Sequence, residues 1–250
     1  MIRIQRGSSP KGFSRRAERW ADHFHAAREH DPLVTITQFW SRVRPQIRRD
    51  AEALYQAFHG KCAFCESRMA HVSAPHIEHY RPKQKFPDLA FEWDNWLLSC
   101  GRCNETKLTH FPDCDGQPCL IDPANDDPAQ HIEFSGYVPI PLTKRGEETI
   151  KLVGLDRSPL EDERSRWLLY INALILLCRV AEFRTEAREL LLWCMQDDAP
   201  YAAMTRCYLR LRTPRLANPT QPHTPISPQH PIRRIQRLTD EAASMLQNLD

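Results

Sequence analysis

The chain has 250 residues, of which 41% are hydrophobic and 26% charged, and its net charge is +2. This length and composition predict a globular protein with one good hydrophobic core or two small ones. The sequence contains no apolar run near the ~18 residues that a membrane helix needs, and its first residues lack the apolar stretch of a secretory signal. We therefore expect a soluble cytoplasmic protein that does not contact membranes.

The charge is unevenly distributed. Residues 1–61 contain twelve Lys and Arg against six Asp and Glu, whereas residues 110–165 contain five against twelve. A basic region of this kind favours a polyanionic partner. Ordinary solvated helix faces explain the same asymmetry equally well, so charge alone leaves both interpretations open.

Two helices are predicted at the start of the chain. Apolar residues at helical spacing indicate a helix over residues 14–30, with Ser14 as its N-cap. The same pattern predicts a second helix over residues 37–58, kinked or divided at Pro45 because proline removes a backbone donor.

Short elements follow at the centre. Residues 74–80 and 96–99 are predicted strands, and residues 102–110 are a predicted helix. The segment from 111 to 141 is rich in Pro and Asp, which predicts an irregular path with only short strands at 132–134 and 137–138.

The last third of the chain is mainly helical by its pattern. Residues 149–155 are predicted to be a strand or a turn, and residues 160–195 show strong helical periodicity. Six prolines between residues 213 and 231 predict a flexible linker, and a basic helix is predicted over residues 232–249.

Four cysteines form two Cys-x-x-Cys pairs that are separated by 34 residues: Cys62, Cys65, Cys100 and Cys103. Cytosolic thiols stay reduced, and thioredoxin-like redox chemistry needs only one such pair. Two pairs at this spacing predict a structural zinc ion held by four thiolates.

The other five cysteines are weaker candidates. Cys114 and Cys119 lie near enough in sequence to compete as zinc ligands, although their spacing is less typical of a zinc-binding turn than Cys-x-x-Cys. Cys178, Cys194 and Cys207 lie in apolar helical settings and are predicted core residues.

A Glu-His pair lies between the two cysteine pairs. His79 is a candidate general base, because an imidazole titrates near neutral pH. Glu78 and Asn104 offer the hard oxygen ligands that Mg²⁺ or Mn²⁺ prefers, and Asn95 can accept a hydrogen bond from His79. Neighbouring strand residues point to opposite faces, so we expect the strand to end at His79.

These residues carry a family resemblance over three segments: 62–65, 75–83 and 93–107. Together they resemble HNH endonucleases of the ββα-metal, or His-Me finger, class. Ile-Glu-His-Tyr-Arg-Pro-Lys at 77–83 and Cys-Leu-Ile-Asp-Pro at 119–123 are especially similar to the HNH subunits of the Septu anti-phage system, which also occur beside some retrons. One departure is Asn104, because many HNH enzymes have His at this position.

The resemblance implies an α+β fold, namely a ββα-metal HNH nuclease core with a structural zinc, flanked by N- and C-terminal helices. It implies that His79 is the base, that Glu78 and Asn104 hold a catalytic Mg²⁺ or Mn²⁺, and that Asn95 positions His79. The implied reaction is hydrolysis of nucleic-acid phosphodiester bonds. DNA is the favoured substrate, and RNA such as tRNA remains open.

The resemblance also implies a partner, a PtuA-like ABC-type ATPase. None of the eight glycines begins a Walker A loop, so any ATP control must come from another chain. The apolar stretch from Trp167 to Leu177 and the helix after Ile232 are the candidate docking surfaces.

Four further residues are candidate phosphate contacts: His76, Lys83, Arg102 and Lys107. His76 shares a strand face with Glu78, and Lys107 follows Asn104 by one helical turn. A structural hydrogen bond or simple solvent exposure accounts for each of them as well.

We divide the chain into four parts: an N-terminal helical arm (1–59), a zinc-braced HNH nuclease core (60–124), an irregular wrap with a helical C-terminal region (125–212), and a Pro-rich linker with a terminal helix (213–250). Two alternatives remain for the function. One is a non-catalytic zinc-ribbon module that binds nucleic acid, and the other is a structural adaptor subunit.

Overall fold

The computed structural model describes residues 1–69 and 76–212. The predicted linker and terminal helix over residues 213–250 lie outside the described residues, and so does the start of the first predicted strand. No helix in the described part of the chain has both the length and the apolar character needed to cross a bilayer.

Helix α1 (Phe13–His30) begins where the chain leaves a left-handed turn. Gly12 has φ 74° and precedes the helix, so the prediction of Ser14 as N-cap is wrong. Glycine adopts this conformation without the steric clash that a Cβ would cause. The helix buries one face, formed by Phe13, Ala17, Trp20 and Phe24.

Helix α2 (Ile36–Ala57) begins with a capping box. The Thr35 side chain accepts a hydrogen bond from the Gln38 backbone, and the Gln38 side chain accepts one from the Thr35 backbone. The helix is not divided at Pro45, which lies inside it and is exposed. Gly60 then turns the chain with φ 65°, and a Cβ there would come within 2.6 Å of the Tyr55 hydroxyl.

The centre of the fold is a ββα unit. Strands β1 (His76–His79) and β2 (Trp96–Ser99) pair antiparallel, with His79 opposite Trp96 and His76 opposite Ser99. Helix α3 (Gly101–Lys107) follows β2 directly, and Cys100 caps it by accepting from the Cys103 backbone. Strand β1 ends at His79, as predicted.

The C-terminal region contains two small hairpins and four helices: β3 (Asp113–Cys114) with β4 (Gln117–Pro118), β5 (Ile132–Ser135) with β6 (Val138–Pro141), α4 (Lys144–Val153), α5 (Ser158–Leu177), α6 (Arg184–Cys194) and α7 (Ala202–Arg212). The prediction of a strand or turn over 149–155 is wrong, because most of this stretch belongs to α4. Thr143 caps the start of α4, and Gly154 ends it with φ 59°. The single helical region predicted over 160–195 is divided between α5 and α6.

One hydrophobic cluster joins these elements within the described residues. Aromatic rings hold the first two helices against the hairpin. The ring centre of Trp40 lies 5.4 Å from that of Trp96 and 5.8 Å from that of Phe91, and the ring centres of Phe13 and Trp96 are 5.1 Å apart. Such pairs contribute beyond the apolar area that they bury. The α+β prediction, with a ββα core between N- and C-terminal helices, is confirmed.

Candidate active site and zinc centre

The four predicted cysteine ligands meet at one point. Their Sγ atoms all lie within 4.8 Å of one another, and those of Cys65 and Cys100 are 3.8 Å apart. Sulfur atoms at ~2.3 Å from a tetrahedral zinc would be separated by ~3.8 Å. Cys62, Cys65 and Cys103 are buried, and none of the four forms a disulfide. The cluster therefore fits a structural zinc.

Backbone hydrogen bonds fix the two Cys-x-x-Cys turns, or zinc knuckles, at residues 62–65 and 100–103 against each other. The Ala63 N–H donates to the Leu98 carbonyl at 2.8 Å, which ties the first knuckle to β2. Cys62 N–H donates to the Ser67 carbonyl at 3.0 Å and closes the first knuckle. Since β2 leads into Cys100, both halves of the cluster are positioned by the hairpin.

Cys114 and Cys119 are not part of this cluster. They form a disulfide that closes the β3–β4 hairpin, with their Cα atoms 5.0 Å apart. Their candidacy as zinc ligands is therefore excluded in this structure. Of the three cysteines predicted for the core, Cys194 is fully buried, and Cys178 and Cys207 are half-buried.

His79 lies at the end of β1 and is buried, with 3% of its surface exposed. Its Nε2 is 2.9 Å from the Ala90 carbonyl oxygen. A carbonyl can only accept, so Nε2 carries the hydrogen and Nδ1 is left with a free lone pair. The Trp40 ring meets the imidazole edge to face, with ring centres 4.5 Å apart.

The imidazole is neutral at physiological pH. Burial, together with repulsion from Lys83, lowers the pKa of His79 to about 3. A neutral imidazole with one nitrogen committed as a donor has the protonation state of a general base.

Asn95 does not orient His79 as the sequence suggested. Its Oδ1 accepts from the Arg81 N–H at 2.7 Å, and its Nδ2 donates to the carbonyls of Arg81 at 3.0 Å and Leu89 at 2.9 Å. The predicted direct bond to the imidazole is wrong, because the Ala90 carbonyl has that place. Asn95 instead closes the loop that brings Ala90 to His79.

Glu78 and Lys107 form a buried ion pair with 2.5 Å between Oε1 and Nζ. Lys107 is fully buried and also donates to the His79 carbonyl at 2.8 Å. Burial raises the pKa of Glu78 and lowers the pKa of Lys107, and the attraction between the two groups opposes both shifts. The prediction that Lys107 contacts a phosphate is wrong, since its ammonium group is enclosed and already paired.

Three other predicted site residues share one cavity of about 700 Å³: His76, Lys83 and Asn104. The Lys83 ammonium also lies 5.8 Å from the centre of the Trp40 ring. Arg102 points to solvent on α3, where it pairs with Glu105 at 3.4 Å. Its role as a phosphate contact stays a prediction.

The four cysteines are the only group of three or more His, Cys, Asp or Glu side chains within reach of a single ion in the described ranges. The two residues that the sequence predicts as ligands of a catalytic ion, Glu78 and Asn104, offer a carboxylate and an amide oxygen. Mg²⁺ is commonly held by one or two carboxylates, with water and substrate phosphate completing its shell. The donor set therefore fits Mg²⁺ or Mn²⁺.

Sequence reasoning missed Trp40 and Ala90, the two residues whose groups contact the imidazole. Trp40 lies on the apolar face of α2, and this face is the only signal that it is buried. Ala90 acts through its backbone carbonyl, so its side chain carries no signal at all.

Comparison with known proteins agrees with this geometry. Residues 62–109 match the family model of HNH endonucleases. The match includes all four cysteines, Glu78, His79, Asn95 and Asn104. This part of the chain contains an HNH domain, as the resemblance implied.

Two curated relatives are both named Septu protein PtuB. The relative from Bacillus mycoides (strain KBAB4) is 34% identical over 143 residues, which cover 45% of this chain and 48% of the relative. The relative from Bacillus thuringiensis is 30% identical over 158 residues, which cover 63% of this chain and 55% of the relative. The chain thus spans about half the length of the curated relatives that it matches.

Proposed function

We propose that the HNH domain of residues 62–109 makes this chain a metal-dependent endonuclease that hydrolyses nucleic-acid phosphodiester bonds. DNA is the substrate we favour, and tRNA is the second substrate to test. The observation that carries the proposal is the state of His79: neutral, with Nε2–H bonded to the Ala90 carbonyl and Nδ1 free.

In this proposal His79 Nδ1 takes the proton from the water that attacks the phosphorus. The imidazolium that forms keeps its Nε2–H bond to the Ala90 carbonyl and its ring contact with Trp40. Burial favours the neutral imidazole again, so the proton is passed on to solvent when products leave. Asn95 keeps the loop and therefore the Ala90 carbonyl in place.

Glu78 and Asn104 would hold the catalytic ion, which when bound neutralises charge on the departing 3′ oxygen. Lys107 fixes one carboxylate oxygen of Glu78 and leaves the second as a metal ligand. The cysteine cluster has a different role. Four thiolates fill a tetrahedral zinc shell and leave no open position for a substrate, so the zinc braces the hairpin.

We further propose that the chain acts with an ABC-type ATPase in anti-phage defence, on the strength of its similarity to proteins named Septu protein PtuB. Leu169 and Leu176 on α5 are 67% and 59% exposed and lie two turns apart on one face. This face supports the docking surface inferred from the sequence between Trp167 and Leu177. The second candidate, after Ile232, lies outside the described residues.

The docking surface can be tested by co-purification. A double variant with Leu169→Glu and Leu176→Glu should no longer recover a co-expressed ATPase, because the substitutions place charges in an apolar contact. Leu33→Glu is the matched control, since Leu33 is 83% exposed at a distance in sequence from α5. Equal recovery with all three proteins would contradict the surface.

The nuclease itself is tested by cleavage of plasmid DNA and tRNA with Mg²⁺ or Mn²⁺, in the presence of the co-expressed ATPase. His79→Ala should lower the cleavage rate by ~10²–10⁴-fold, the usual contribution of a general base. His30→Ala is the control, because His30 is exposed at the end of α1. Equal cleavage by wild type and His79→Ala would refute the mechanism, and a wild type that never cuts would favour a non-catalytic zinc module.

A further inference from the structure

The 700 Å³ cavity beside His76 and Asn104 has a second wall that the HNH motif does not supply. Helix α2 of the N-terminal arm forms this wall, chiefly through Trp40, Ser41 and Arg44. The cavity therefore lies between the motif and a segment that precedes it in sequence. Its volume is in the range of ligand-binding clefts.

The charged side chains that line the cavity are basic. Arg44 lines it from α2 and Lys83 lines it from the motif side, and none of its lining residues is Asp or Glu. No hydrogen bond or ion pair engages the Arg44 guanidinium within the described ranges, and its side chain is exposed. An unpaired guanidinium in a cleft without carboxylates is suited to bind a phosphate.

The wall is also fixed relative to the base. Trp40 lies one helical turn before Arg44, and its ring contacts the His79 imidazole with ring centres 4.5 Å apart. It packs against Trp96 of β2 as well. Arg44 is thereby carried on a helix that contacts the proposed base, and it shares the cavity with Asn104.

We propose that α2 is the second wall of the substrate groove and that Arg44 binds a backbone phosphate next to the one that is cleaved. This inference rests on the proposed nuclease function. In this groove Lys83 contacts the nucleic-acid strand from the opposite wall. Such contacts position a nucleic acid without reading its sequence.

The test is binding of a fluorescent DNA oligonucleotide to the zinc-loaded full chain, measured by anisotropy at several salt concentrations. The His79→Ala background prevents cleavage during the measurement. Arg44→Gln should weaken binding at low salt and lower the slope of log affinity against log salt by about 1, the effect of one lost phosphate contact. Arg42→Gln is the matched control, because Arg42 is exposed on the same helix but does not line the cavity.

The groove would be overturned if Arg44→Gln and Arg42→Gln gave the same affinity and salt slope. Cleavage by the wild-type chain, with His79 and Arg44 intact, shows whether the groove alone is wrong or the proposed nuclease function is wrong as well. If that chain cuts DNA and Arg44→Gln binds like its control, the groove is wrong and the nuclease stands. If that chain neither binds nor cuts DNA, both are wrong.

A separate observation concerns the zinc centre. Arg157 immediately precedes α5, and its Nη1 lies 3.7 Å from Cys103 Sγ. The same nitrogen donates to the carbonyls of Gly154 at 2.6 Å and Val153 at 3.3 Å. The guanidinium is thus held against the cysteine cluster by the end of α4.

Four thiolates around Zn²⁺ carry a net charge of −2, which a nearby cation stabilises. Arginine keeps its charge at every accessible pH. We infer that Arg157 is the outer cation of the zinc centre and that it couples the C-terminal helices to the bound metal.

The rate of zinc transfer to a colorimetric chelator tests this under conditions where circular dichroism shows a folded protein. Arg157→Gln should release zinc ~10–100-fold faster, the scale of other outer-shell changes, and Arg157→Lys should fall between Gln and wild type. Arg166→Gln is the control, because Arg166 is exposed on α5 and pairs with Glu163. Equal release by Arg157→Gln and the control would overturn the inference, and so would equal release by the Gln and Lys variants.

Discussion

The cysteine cluster and the proposed base, His79, lie at opposite ends of the same short hairpin. Zinc ligands adjoin the end where Ser99 pairs with His76, and the base lies at the other end, opposite Trp96. At the zinc end, each pair of ligands is local in sequence, and the first pair is held by the bond from Cys62 N–H to the Ser67 carbonyl and by the bond from Ala63 N–H to the Leu98 carbonyl of β2. At the catalytic end, the imidazole is held by Trp40 from α2 and by the carbonyl of Ala90.

The difference shows how one small domain separates stability from chemistry. The zinc end is built on four thiolates that are paired locally in sequence, and a bound metal ion is a strong source of folding energy. The catalytic end depends on contacts between distant segments, so it forms only when the arm and the hairpin have packed together. Four substitutions test this contrast, from the largest expected effect to the smallest.

Loss of a zinc ligand should have the largest effect. Cys100→Ser removes a thiolate from the cluster, and structural zinc contributes on the order of 10 kcal/mol to the folding of small zinc domains. We expect loss of bound zinc and of cooperative unfolding, measured by metal analysis and thermal melting. Cys207→Ser should behave as wild type, because Cys207 lies outside the cluster. Retained zinc with an unchanged melting temperature would show that the cluster does not brace the hairpin.

Breaking the buried ion pair should come next. Lys107→Met leaves the Glu78 charge unpaired in the interior, which typically costs ~3–5 kcal/mol in the free energy of unfolding. Adding Glu78→Gln should recover part of this loss, because the unpaired charge is removed. Urea denaturation of the two single variants and the double variant measures the coupling. Strictly additive effects would mean that the pair does not stabilise the catalytic end.

Trp40→Leu should destabilise the protein by about 3 kcal/mol, because it removes ring contacts with His79, Phe91 and Trp96. Bound zinc should be unaffected, since none of these contacts involves a cysteine. Denaturation and metal analysis of the same preparation check both expectations. Loss of zinc together with stability would break the contrast between the two ends.

Asn95→Ala should have the smallest effect on stability, about 1–2 kcal/mol, because it leaves partly buried backbone groups of Arg81 and Leu89 without their partner. The cleavage rate should fall more than this loss suggests, since the loop that carries Ala90 is released. Cleavage assays at a temperature where the variant is fully folded measure this. A variant with wild-type cleavage would show that the loop holds its position without Asn95.

The sequence predicted what is encoded by local spacing. The paired cysteines, the Glu-His dyad and the ββα order all lie within about fifty residues, and each is recognisable from neighbouring positions. Residues 149–155 were misassigned because α4 begins before them, with its N-cap at Thr143, and Gly154, which ends the helix, lies among them.

Tertiary contacts account for what the sequence did not reveal. Lys107 looks like a solvent-facing cation on a short helix, and only packing against β1 shows that it is buried with Glu78. Asn95 was paired with the wrong group because the loop path decides which atoms it meets. Trp40 is separated from His79 by 38 residues, so no local pattern joins them.

The most direct test of the account is the amount of bound zinc in His79→Ala, measured together with its DNA cleavage rate. The structure leads us to expect wild-type zinc content and folding, with cleavage lowered at least ~10²-fold. His79, the proposed base, takes no part in the cysteine cluster that would hold the zinc. Undiminished cleavage, or zinc lost along with activity, would contradict the division between a metal that holds the hairpin and residues that cut.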